Sequence, residues 1–212
     1  MKAAILALLL IAAPSDEINF TATSINVTEP GTPVKIRILR FSTDDERVSL
    51  LATLTAPARG RQTAPPAGAR GRAGRGRGRA EAAAPLTPIA AFTTALGRAP
   101  TIGYIWTSDI TGYSIKYACQ TTMADGGERI VLATDRRLGA YTNAWKAATQ
   151  APETDYAFTV IELRMDPKGG GEGKTSLTSK IAVDEVAKTL QLENYGTALT
   201  SLSLPPSRPA RR

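Results

Sequence analysis

The chain has 212 residues, of which 42% are apolar and 21% charged, with 18 Gly, 14 Pro, one Cys, no His and a net charge of +7. That composition suits one globular domain with tails and departs from collagen-like, coiled-coil or wholly disordered chains. Without imidazole there is no Ser-His-Asp or Cys-His pair and no His-ligated metal; one Cys makes no internal disulfide, thiolate zinc site or iron–sulfur cluster.

Lys2 opens an unbroken apolar run from Ala3 to Ala13, after which Pro14-Ser15-Asp16-Glu17 turns polar. One positive residue, a short greasy core and small residues at Ala13 and Ser15 match a secretory signal over residues 1–15, cleaved before Asp16. As a helix the run spans about 16 Å, roughly half a hydrocarbon core, so it predicts an export leader rather than an anchor. The expected location is periplasmic or extracellular, with no transmembrane anchor after cleavage.

Residues 18–27 are rich in Ile, Thr and Val and predict a strand; after a Pro-Gly turn, Val34, Ile36 and Ile38 alternate with Lys35 and Arg37, which face water. These two segments should pair as a hairpin. Thr43-Asp44-Asp45-Glu46 is a capping-box pattern that opens a short helix with Val48, Leu51 and Leu54 at helical spacing.

The charge is concentrated in the next segment. Residues 56–85 hold Arg59, Arg61, Arg70, Arg72, Arg75, Arg77 and Arg79 against Glu81 alone. This tract contributes +6, the 205–212 tail +3 and Lys2 +1, so the remainder sums to −3. With no periodic apolar face, 56–85 predicts a disordered Arg/Gly/Ala/Pro-rich insertion, and the tail predicts a disordered basic end. The tract reads first as a tolerated low-complexity insertion and, as the alternative, as a polyanion tether to a partner such as an acidic envelope polymer. Without interleaved aromatic residues, nucleic acid is a poor fit.

Thr87-Pro88 then caps a second helix, with Ile89, Phe92 and Leu96 as its stripe and Gly97 and Pro100 at its end. Ile102, Tyr104 and Trp106 alternate as a strand. Tyr113, Ile115, Tyr117 and Cys119 alternate along one predicted face, and Asp125-Gly126-Gly127 turns this strand into 129–133. Residues 136–154 read as a long ordered loop. The strongest strand is 156–163, connected by 168–173 to a strand over 176–183, with weaker strands at 187–194 and 198–204. The expected fold is α+β and mainly β: a curled or sandwich-like antiparallel sheet of about seven or eight strands with a short helical pair, forming a single domain over 16–204.

The opening FTATSINVT strand, the helical interlude, ERIVLATDRRLG, DYAFTVIELRMDPKGGGEGK and VAKTLQLENYG together resemble an uncharacterised family of signal-bearing secreted bacterial proteins. The similarity spans most of 16–204 and rests on strand patterns. It implies export and a β-rich domain in which the Arg-Gly tract is an insertion; it carries no activity, ligand or site residue.

Few residues offer chemistry. Gly169 to Thr175 resembles a phosphate loop, but the spacing lands on Lys168 where Gly is required and no helix pattern follows. Cys119 predicts a buried structural thiol. Tyr104, Trp106, Tyr141 and Trp145 are candidates for an aromatic platform that takes a sugar ring or flat ligand. No catalytic residue, metal ligand or cofactor is nominated. The expected function is an exported, non-catalytic binding or structural module. The alternatives are a polyanion-tethered envelope protein and, third, an enzyme that uses carboxylates or Lys.

Overall fold

The computed structural model describes residues 17–56, 87–108, 112–140, 145–148, 153–199 and 201–205. The expected leader over 1–15, the seven arginines from Arg59 to Arg79, Tyr141 and most of the basic tail lie outside the described residues. Ten strands form: β1 (Ile18–Ile25), β2 (Pro33–Ile38), β3 (Gly103–Trp106), β4 (Gly112–Thr122), β5 (Glu128–Thr134), β6 (Val160–Met165), β7 (Gly171–Thr175), β8 (Ile181–Asp184), β9 (Thr189–Leu192) and β10 (Ser201–Leu204). Two helices, α1 (Asp44–Thr55) and α2 (Pro88–Arg98), lie between β2 and β3.

Eight strands close into an antiparallel barrel in the order β1-β10-β7-β6-β5-β4-β3-β2, while β8 and β9 form a separate two-stranded hairpin. The architecture is thus mainly β with a helical pair, and the curled sheet closes on itself. Closure leaves no barrel strand with an unpaired edge.

An eight-stranded barrel is just wide enough for side chains to fill it. Here Val34, Ile36, Ile38, Ile105, Tyr113, Ile115, Ile130, Leu132, Ile161, Leu163 and Leu202 do so, all at most 1% exposed. On β7 the inward positions are small. A Cβ on Gly173 would come within 2.5 Å of Leu163 Cδ2, so glycine there is what lets its neighbours meet. Trp145 joins this interior cluster, and the loop carrying it is stitched to the end of β1 by a Val27–Ala147 bridge.

A second core lies outside the barrel. The helices and the β8–β9 hairpin cover the outer faces of β4, β5 and β6, burying Leu50, Leu51, Phe92 and Leu96 against Tyr117, Val131, Phe158, Val160 and Leu190. Phe92 and Phe158 meet at 5.1 Å between ring centroids. Both expected caps form. The Thr43 side chain accepts from Glu46 N–H while the Glu46 carboxylate accepts from Thr43 N–H, and Thr87 caps a helix with Pro88 in its first turn. Of the expected Val48, Leu51 and Leu54 stripe, Leu51 is buried and Leu54 packs against the outer core, whereas Val48 is 56% exposed and Leu50 is buried instead. No helix among the described residues is long and apolar enough to cross a membrane.

Two strand expectations change. Register shifts between Ile115 and Tyr117, which pair with Thr134 and Ala133. The bulge at Lys116 reverses the alternation, so Tyr113 and Ile115 point into the barrel while Tyr117 and Cys119 point out beneath the helices. Cys119 therefore does not share a face with Tyr113 and Ile115, although it is buried as expected. The expected connection over 168–173 is also shorter: Gly171–Thr175 is strand β7, and 176–180 becomes the turn before β8. The strand signal there is hidden because two of its three inward positions, Gly171 and Gly173, are glycines rather than β-branched residues.

Candidate functional site

The barrel wall is partitioned. Helices and hairpin cover β4 to β6, whereas the outward residues of β1, β2 and β3 stay open. Register sets Thr21, Lys35 and Trp106 side by side across the three strands, and Asn19, Arg37 and Tyr104 in the next row. The Tyr104 and Trp106 rings lie 5.6 Å apart, tilted by 34°. The indole rests over Gly112 on the adjoining strand, where a Cβ would sit 3.2 Å from Nε1. Glycine there lets the ring lie along the wall.

Beside Trp106 opens a cleft of about 590 Å³, lined by Thr32, Pro33, Lys35, Trp106, Thr107 and Ser108. That volume falls in the range of small-ligand sites. The cation in the adjoining row is neutralised: Arg37 pairs with Glu17 at 2.8 Å. Lys35, exposed at the cleft, has no ion pair among the described residues.

Of the four aromatic residues nominated for a platform, Tyr141 lies outside the described residues. Tyr104 and Trp106 come together on the outer wall, whereas Trp145 does not join them. It is 3% exposed and belongs to the interior core, beside the Val27–Ala147 bridge. Lys35 was legible as solvent-facing; its place beside an indole 71 positions on, a separation read from the numbering, follows from the β2–β3 register.

On the covered side, the most connected ionic group is Glu162, fully buried on the outer face of β6. Its two oxygens accept five hydrogen bonds: two from Arg129, two from Arg164 and one from Leu192 N–H. Arg129 reaches on to Asp184 at 3.0 Å and to the Leu190 carbonyl. Arg164 stacks on Tyr195 at 3.7 Å from the ring centroid. Burial pushes the Tyr195 phenol above its usual range. This cluster ties the β8–β9 hairpin to the barrel and leaves the carboxylate saturated, which suits a structural anion more than a proton shuttle.

Cys119 has a neighbour that sequence spacing did not suggest. Arg47 on α1 donates to its Sγ at 2.7 Å, while Lys116 turns away to the Ala99 carbonyl and Thr101. Next along the strand, Tyr117 shares a 2.8 Å hydrogen bond with Thr189 and accepts from Leu190 N–H. Burial pushes the Tyr117 phenol up to about 12. No group of three or more metal-ligating side chains occurs among the described residues. The Asp166 carboxylate accepts from Lys168 and Gly170 N–H within its own turn.

Comparison of the chain with protein-family models, with curated proteins and with solved structures finds no match.

Proposed function

We propose that this chain is an exported, non-catalytic binding domain that takes its ligand on the outer barrel wall around Tyr104 and Trp106. The observation that carries this reading is the cleft of about 590 Å³ beside Trp106 on the uncovered strands. The barrel interior is filled by its own side chains, and the helices and hairpin occupy another part of the wall. The leader-like N-terminus supports export.

The test is a fluorescence titration with a panel of cell-envelope glycans, using the wild type and Trp106→Phe. Quenching in the wild type that is lost in the variant is the expected result. Flat traces across the panel overturn the binding reading. Export is tested separately by sequencing the mature N-terminus from an envelope fraction: a chain starting at Asp16 supports it, and an intact Met1 in the cytosol overturns it.

A second reading, a polyanion tether through Arg59 to Arg79, rests on the concentration of positive charge in 56–85. Loss of binding to an anionic resin on deletion of 56–85 would favour it, and unchanged binding would remove it.

A further inference from the structure

The ligand's chemistry can be taken a step beyond the outer-wall reading, on which this inference rests. We propose that the Trp106 cleft binds an acidic polysaccharide, with a sugar ring stacked on the indole and a sugar carboxylate paired with Lys35. Trp106 and Lys35 are register partners on adjacent strands, which places their Cβ atoms about 5 Å apart. A pyranose presents a face of weakly positive C–H groups, complementary to the negative face of an aromatic ring. A carboxylate projecting from the ring edge then lies within reach of a lysine on the neighbouring strand. Thr32, Thr107 and Ser108 line the same cleft with hydroxyl groups suited to sugar hydroxyls.

Charge density distinguishes this ligand from a nucleic acid. Single-stranded nucleic acid is held by a basic groove that follows the backbone, with a phosphate at every nucleotide. On this wall Glu17 neutralises Arg37, which leaves Lys35 as the cation in the Trp106 row with no ion pair among the described residues. One cation beside one platform suits a polymer whose carboxylates are spaced by sugar rings. The Tyr104 and Trp106 rings are also already in contact, 5.6 Å apart, which leaves no slot between them for a base.

The experiment titrates the full chain, read by Trp fluorescence, with oligogalacturonate, its fully methyl-esterified form and oligothymidylate. Wild type is compared with Lys35→Gln and Trp106→Phe, and circular dichroism confirms that each variant is folded. Oligogalacturonate should quench the wild type, with affinity falling about tenfold on esterification and about tenfold in Lys35→Gln, as expected for one lost charge-assisted contact. Trp106→Phe should remove the signal. Equal binding of the ester together with an unaffected Lys35→Gln would overturn the acidic-ligand proposal while leaving the outer-wall reading intact. If none of these oligomers, nor any neutral glycan, changes the signal, both fall. Tighter quenching by oligothymidylate would replace the sugar with a nucleic acid.

Discussion

Glu162 and Arg129 meet diagonally across adjacent strands on the outside of the barrel. The carboxylate is fully buried, and the guanidinium Nε lies 3.0 Å from Oε1. Removing one member of such a pair leaves the other charge buried without compensation, which costs far more than the intact pair contributes. Glu162→Gln keeps the shape but removes the buried carboxylate from Arg129, leaving it Asp184 and the Leu190 carbonyl, and it also removes a charge partner of Arg164. The expected loss is roughly 3 kcal/mol, measured from urea unfolding midpoints. A change below about 0.5 kcal/mol, the size of an ordinary surface substitution, would show that the cluster does not anchor the hairpin.

Gly173 makes the filled interior testable. Since a Cβ there would approach Leu163 Cδ2 to 2.5 Å and Leu202 Cβ to 3.3 Å, Gly173→Ala should destabilise by about 1–3 kcal/mol through overpacking. Adding Leu163→Val removes the nearest obstructing carbon and should recover part of that loss. Strictly additive effects in the double mutant would rule out the direct steric explanation.

Acid stability should depend on Glu46. Arg40 donates to both of its oxygens at 2.8 Å, which holds the carboxyl down at about 2, below its ordinary 4.5. The folded value lies below the unfolded one. The stabilisation is therefore present above the unfolded value and is lost as pH falls toward the folded one. Asp184 shifts in the same direction, held down first by Ala187 N–H and then by Arg129. The wild type should lose more stability than Glu46→Gln between pH ~5 and pH ~2. The difference should stay within about 1 kcal/mol because water screens this surface pair. Parallel pH profiles for the two proteins would contradict it.

Cys119 should be sealed in the native state. At 1% exposure beneath α1, its thiol should react with a maleimide only on unfolding, so the labelling rate should rise with urea along the unfolding transition. Prompt labelling in buffer would contradict the packing of α1 over β4.

What could be read along the chain was whatever obeys a local rule. The Thr43–Glu46 box and Pro88 start helices where backbone N–H groups need partners. The β1–β2 and β4–β5 hairpins follow from period-two alternation and from Asp125-Gly126, where Gly126 takes a positive φ of 81° and Asp125 accepts from Gly127 N–H. Local rules failed where long-range packing decides. The bulge at Lys116 breaks the alternation, and β7 is a strand because Gly171 and Gly173 must pass under crowded neighbours.

The same limit applies to the candidate site. Sequence alone determined that Lys35 faces water, that Tyr104 and Trp106 share a strand face, and that imidazole chemistry is absent. Only the tertiary structure put Lys35 beside Trp106, withdrew Trp145 into the core and set Glu162 between two arginines. Those relations depend on cross-strand register and barrel closure, which are fixed by how side chains from distant segments fill a common interior.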